Sequence, residues 1–269
     1  MNETTEQSRV RAVERGFLAR QLLEHPLWYH DVDAAASGFT MDALGTAFDF
    51  LGFDEAAKNL RHYRSGKGNE LNYSSKEIEE HALIADAEDH NRTQFESKTF
   101  VGITSEGKLL SSLKNGQKVK FNDDWKRSFL GQGNEYLKQR NKTADSILKT
   151  VDTLWDASTN PGTYLAFGRG EIHSKGNFNA RREGDMLYID GTVTNGFDTK
   201  DGDNMFDFHG AQPGAHEARI LEAEQARTGN PEAAPFAMQF DRRQDVEAEL
   251  EYQPGGSLRL LKSKWGKIY

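Results

Sequence analysis

Downstream of Pro161 the chain is punctuated by glycine at short intervals, at Gly168, Gly170, Gly176, Gly184 and Gly191, with alternating apolar and polar runs between them. A helix interior loses about 1 kcal/mol at each glycine, so no long helix fits here. The period-two alternation is that of strands with one buried face. The runs at residues 163–167, 171–173, 177–181, 186–189 and 192–194 therefore predict an antiparallel sheet of hairpins turning at the glycines. One helix, over residues 215–226, interrupts it before late strands at 236–240, 246–252 and 258–261.

The upstream half carries a different period. Val10, Val13, Phe17, Leu18 and Leu22 recur at three and four and predict an amphipathic helix over residues 6–25. Thr40 is placed to cap a helix over 41–51, and Asp54 opens another that carries Leu60 and Tyr63. Ser74-Ser75-Lys76-Glu77 has the spacing of a capping box, so a further helix is expected from Ser75 to about Ala85. Residues 100–103, 108–113 and 118–121, parted by Gly and Asn, read as hairpin-like strands, and a helical pattern returns over 136–154. The expected fold is α+β, with a helical part over residues 1–97. An antiparallel β-sheet or half-barrel with one helix follows over 98–269.

Only 36% of residues are hydrophobic, yet 16 Phe, 8 Tyr and 4 Trp supply the large side chains that one or two modest cores need. With no cysteine, disulfides, thiolate metal sites and thiol nucleophiles are excluded. A formal charge of −8 argues against a general nucleic-acid binder. No run approaches the roughly 20 apolar residues of a membrane span, and residues 1–9 lack the apolar core of a signal peptide. The expectation is a soluble chain made in the cytoplasm without a cleavable signal.

Chemistry concentrates in one acidic stretch, where Asp198, Asp201, Asp203, Asp207, Glu217, Glu222 and Glu224 are offset only by Lys200 and Arg219. Oxygen ligands of this kind suit a hard cation such as Mg2+, with Asp201, Asp203 and Asp207 as candidate ligands. The alternative is a solvated loop. The spacing is not that of a calcium hand. Alternation puts Asp207 and His209 on one face, as a base and its orienting partner or as metal ligands, or simply as a hydrogen-bonded pair ending a strand. His216 and Arg219, three apart on the predicted helix, share a face and can reach a phosphate. Gly66-Lys67-Gly68 lacks the Lys-Ser/Thr of a phosphate loop, and no Gly-x-Ser-x-Gly elbow is present. The C-terminal run 257–269 mixes Arg259, Lys262, Lys264 and Lys267 with Trp265 and Tyr269. It reads as either a bilayer-surface contact or a last strand with a solvated edge.

Two stretches together resemble the colicin M family of bacteriocins. Leu60-Arg61-His62-Tyr63-Arg64-Ser65-Gly66-Lys67-Gly68 is similar to that family's Leu-x-His-Tyr-x-x-Gly-x-Gly segment. Gly162-Thr163-Tyr164-Leu165, Tyr188-Ile189-Asp190-Gly191-Thr192-Val193 and Phe206-Asp207-Phe208 follow the order of its catalytic part, so the resemblance runs over about residues 59–252. The family's Asp-x-Tyr-Asp, five residues, His-Arg pattern falls on Asn204, Phe206, Asp207 and Pro213-Gly214, so only Asp207 is retained. Asp203 or Asp201 stands near enough in sequence to replace the missing carboxylate, and His209 or His216 with Arg219 to replace the basic pair.

The resemblance implies an antibacterial toxin that hydrolyses the polyprenyl-pyrophosphate linkage of lipid II, a lipid-linked peptidoglycan precursor, with Mg2+ in the periplasm of a target bacterium. It also implies a cognate immunity protein and contact with the inner-membrane surface. The N-terminal part lacks the Pro-rich segment of an imported colicin, which suits delivery by a contact-dependent apparatus such as type VI secretion. The competing expectations are a non-enzymatic membrane-damaging toxin of the same fold and a binding or scaffold module.

Overall fold

The computed structural model describes residues 27–129, 159–167, 170–197, 205–206 and 215–269, with side chains excepted at 27–31, 205 and 215. In chain order the elements are α1 (Leu27–Phe50), α2 (Asp54–Arg64), β1 (Leu71–Asn72), α3 (Ser75–Glu79), α4 (Ala82–Gln94) running into a π turn at Phe95–Thr99, α5 (Lys108–Ser111) and β2 (Lys118–Ser128). There follow α6 (Pro161–Phe167), β3 (Glu171–Glu183), β4 (Met186–Phe197), β5 (Met205–Phe206), α7 (Ala215–Thr228), β6 (Phe236–Gln239), β7 (Asp241–Tyr252) and β8 (Leu258–Ile268). The protein is thus α+β. It divides into two compact units, one made of residues 1–69 with 206–236 and the other of 70–205 with 237–269. The helical stretch through residue 97 is shared between them.

In the first unit α1 packs on α2 and α7. Met41, Leu60, Tyr63, Leu221 and Phe236 are fully buried there. Two glycines on α1 let the neighbours close in: a Cβ at Gly38 would meet the Arg64 guanidinium at 3.0 Å, and one at Gly45 would meet Leu60 at 3.5 Å.

The second unit is built on a five-stranded antiparallel sheet in the order β2-β3-β4-β7-β8, open at both edges among the described residues. Its inward positions follow the period-two rule, with Phe178 and Ala180 on β3, Leu187, Ile189 and Val193 on β4, and Val246, Ala248 and Leu250 on β7. Phe178 sits at the centre, 5.5 Å from Phe95, 5.2 Å from Phe100 and 5.2 Å from Phe121 between ring centroids. A second aromatic group, Tyr73, Phe129, Phe167, Phe197 and Phe240, closes one end. β1 and β6 pair in parallel, Leu71 with Met238 and Asn72 with Gln239.

Several expectations are corrected. Thr40 is no cap: α1 runs straight through it and its hydroxyl donates back to the Ala36 carbonyl at 3.0 Å. The capping box at Ser74 forms, but α3 ends at Glu79 because His81 takes an extended backbone that lets its ring pack 4.7 Å from Phe167. Of the three runs read as a hairpin, 100–103 and 108–113 are turn and helix, and only β2 is a strand. Residues 163–167 belong to the helix α6, started by Pro161.

Gly176 and Gly191 do not turn the chain but lie inside β3 and β4. A Cβ at Gly176 would stand 2.3 Å from the Phe178 ring, and one at Gly191, the residue opposite Phe178, 2.2 Å from the Asn177 carbonyl. These glycines make room for an aromatic core. Only Gly184, at φ +62°, turns the β3–β4 hairpin. The predicted helices over 6–25 and 136–154 lie outside the described residues.

Candidate functional site

The Leu60–Gly68 stretch forms the last turns of α2 and the turn after it. Apolar positions recurring along α2 bury Ala56, Ala57, Leu60 and Tyr63 on one face. Tyr63 is fully buried, and its hydroxyl donates to the carboxylate of Glu222 on α7, 159 residues on in the chain. Its ring meets Phe206 edge-on at 6.1 Å. Phe206 in turn stacks on Phe236 at 5.1 Å, and the His62 ring stands edge-on to Phe236 at 4.5 Å while its Nε2–H donates to the Asn69 carbonyl at 2.7 Å.

Gly66, at φ +64°, is required where it stands, because a Cβ would lie 2.7 Å from the Pro231 backbone and from Gln225 Oε1. The Gln225 side chain ties this turn to α7: its oxygen accepts from the backbone N–H of Glu232 and Ala233 at 2.9 and 3.0 Å, and its amide donates to the Gly66 carbonyl at 3.3 Å. Arg64 donates to Asp42 at 3.1 Å and to the Glu232 carbonyl at 2.5 Å. Of the second stretch singled out by resemblance, Phe206 shares this compact unit with Leu60–Gly68, while residues 162–165 and 188–193 belong to the other unit.

Of the predicted site residues, Asp201, Asp203, Asp207 and His209 lie outside the described residues. His216 is exposed and Arg219 half-buried on α7, three residues apart as expected. One further turn along the same face is Glu222, the partner of Tyr63. Glu222 drew notice in the sequence only as one acid among several. The signal that marks it is the run Arg219, Glu222 and Gln225, three polar residues at helical spacing on α7. Among the described residues no group of three His, Asp or Glu is placed to hold a metal ion. The Mg2+ expectation rests on the carboxylates outside them.

The second unit holds polar groups that sequence reasoning passed over. His173, buried on β3, donates from Nε2 to Asp124 at 2.6 Å, an Asp–His pair distinct from the predicted Asp207 and His209. His81 Nδ1 pairs with the Thr163 hydroxyl at 3.0 Å, and burial holds its imidazole below the usual histidine range against a smaller opposite pull from Glu80. Arg242 Nη1 donates to Glu88 Oε2 in a buried contact at 3.0 Å. Burial lifts the Glu88 carboxyl to about 7 even though Arg242 pulls it down.

The C-terminal run is the strand β8. Glu247 faces Lys264, Glu249 faces Lys262 and Glu251 faces Arg259 across the β7–β8 pair. The Trp265 indole N–H donates to Glu96 at 2.7 Å. Three of its four cations face glutamates and the aromatic is tied down, as in a last strand. No described helix is long and apolar enough to cross a membrane. No protein-family model, curated protein or solved structure matches the chain.

Proposed function

We propose that the chain is an antibacterial toxin of colicin M-like fold that hydrolyses the polyprenyl-pyrophosphate linkage of lipid II in the periplasm of a target bacterium, with Asp207 at the centre of the site. The observation that carries this reading is the meeting of Tyr63, Phe206 and Glu222. Tyr63 of the His-Tyr-x-x-Gly-x-Gly stretch meets Phe206, the residue directly before Asp207, and bonds to Glu222 on the helix that bears His216 and Arg219, all within one unit.

In the proposed reaction Asp207, with Asp203 as the second carboxylate, takes a proton from the water that attacks the lipid-side phosphorus, the bond from that phosphorus to the polyprenyl oxygen breaks, and His209 or His216 passes a proton to that oxygen, releasing polyprenol. Arg219 steadies the charge that gathers on the pyrophosphate. Asp201, Asp203 and Asp207 would hold a Mg2+ ion, which would add neutralisation of the diphosphate charge. The reading includes synthesis in the cytoplasm, export by a secretion apparatus and neutralisation by an immunity protein in the producer.

Incubating purified protein with lipid II and Mg2+ tests it. Release of polyprenol and a pyrophosphoryl-sugar fragment is expected, falling at least 100-fold in Asp207→Ala, the usual scale for removing an acid–base group. Intact lipid II after prolonged incubation removes the enzymatic reading.

A second reading, membrane damage without catalysis, has one observation in its favour. Val32, Phe39 and Phe50 of α1, and Leu51 just beyond it, are all more than half exposed. Leakage of vesicles that persists in Asp207→Ala selects this reading over hydrolysis.

A further inference from the structure

We infer that Glu79, Arg242 and Glu88 form a one-proton device that sets how firmly α4 holds the sheet. The residues come from three elements. Arg242 on β7 is 3% exposed; its Nη1 donates to Glu88 Oε2 on α4 at 3.0 Å and its Nη2 to Glu79 Oε1 on α3 at 3.5 Å. Two carboxylates thus share one buried guanidinium, and the cluster is electrically neutral only when one of them carries a proton. The Glu79 side chain is more than half exposed and solvated by water, whereas Glu88 is 8% exposed. The proton therefore belongs on Glu88.

The surrounding hydrogen bonds select the same site. Ser174, Asn195 and Arg242 stand in one cross-strand row over β3, β4 and β7, under α4. Asn91, one turn beyond Glu88 on α4, donates from Nδ2 to Ser174 Oγ at 2.9 Å and to the Ile172 carbonyl at 3.1 Å. Glu88 Oε1 and Asn91 Oδ1 are both buried acceptors without a hydrogen-bond partner among the described residues. Protonation makes Glu88 Oε1 a donor on the helix face that also carries the Asn91 acceptor.

The charged groups facing Glu88 are Arg242, which opposes protonation, and Glu79 and Asp89, which favour it; the Asn195 amide opposes it weakly. A carboxyl that binds its proton more tightly folded than unfolded lends stability that is full below its ordinary value of 4.5 and is lost as pH rises through about 7. α4 is held hardest on the acid side of neutrality.

Carboxyl NMR of the full chain with labelled glutamate, together with urea unfolding from pH 4.5 to 8, tests the device, the stability changing between 4.5 and about 7 and levelling off above. The Glu88 resonance is expected to titrate near neutrality and to move to lower pH in Glu79→Gln, where Arg242 serves one carboxylate. Glu88→Gln is expected to remove a pH dependence approaching tenfold in the folding equilibrium per pH unit. Arg242 Nε is a third buried atom without a partner, and a water joining all three would leave Glu88 ionised. A Glu88 resonance titrating in the ordinary carboxylate range, or one unmoved by Glu79→Gln, overturns the inference. The wild-type titration decides it even should Glu88→Gln not fold.

Discussion

At the scale of single residues, the strongest constraints fall where a side chain, or its absence, answers to a distant partner. Tyr63 has no exposure and one polar atom, so its stability contribution depends on the Glu222 carboxylate. Tyr63→Phe removes the donor and leaves a half-buried carboxylate without it, at a cost of about 1–3 kcal/mol in urea unfolding. Glu222→Gln keeps an acceptor and costs less. The glycines give a second contrast. In Gly191→Ala the new methyl meets the Asn177 carbonyl across the strands and crowds Phe178, and a loss of about 1–3 kcal/mol or more is expected. Gly184→Ala has open space and suffers only from its positive φ, at about 1 kcal/mol. Equal losses in the two variants would mean that Gly191 is not the seat of Phe178.

Among elements, what was legible in the sequence is what local chemistry decides. The capping box at Ser74, the start of α2 at Asp54 and the β3–β4 hairpin all follow from residues within a few positions of one another. What failed depends on remote partners: Gly176 reads as a turn until Phe178 and Phe95 are laid over it, and the α3–α4 break needs Phe167 and Thr163 to capture His81. The site divides likewise. His216 and Arg219 were readable as helix neighbours, whereas the union of Tyr63 with Glu222, and of Arg242 with Glu88, is a tertiary fact. The break at His81 carries its own pH signature. Burial lowers the folded pKa of His81 below 6.5, so its contribution to stability is present above pH 6.5 and is lost as pH falls and the ring takes a proton. Between pH 7.5 and 5 Glu88 adds stability while His81 removes it, so unfolding midpoints in His81→Gln should rise more, or fall less, than in the wild type. Parallel curves would remove His81 as the cause.

For the whole molecule, the governing problem of a five-stranded sheet that is open at both edges among the described residues is those edges. An edge strand offers unpaired N–H and C=O groups to any other chain, and charged side chains, lysine above all, are the common guard. Both edges here carry it: Lys118, Lys120 and Lys126 on β2, and Lys262, Lys264 and Lys267 on β8. The basic character of the last strand, which in sequence read as either a bilayer contact or a last strand with a solvated edge, fits this guard and the glutamates opposite it on β7. Exposed cross-strand ion pairs contribute little individually, at most about 1 kcal/mol, so the lysines do more against association than for folding. Replacing Lys262, Lys264 and Lys267 together by threonine should therefore leave the urea midpoint nearly unchanged while producing concentration-dependent dimers and larger species in sedimentation velocity. A variant whose sedimentation stays the same as the wild type over a hundredfold range of concentration would show that the β8 edge is closed to other chains by something other than its lysines.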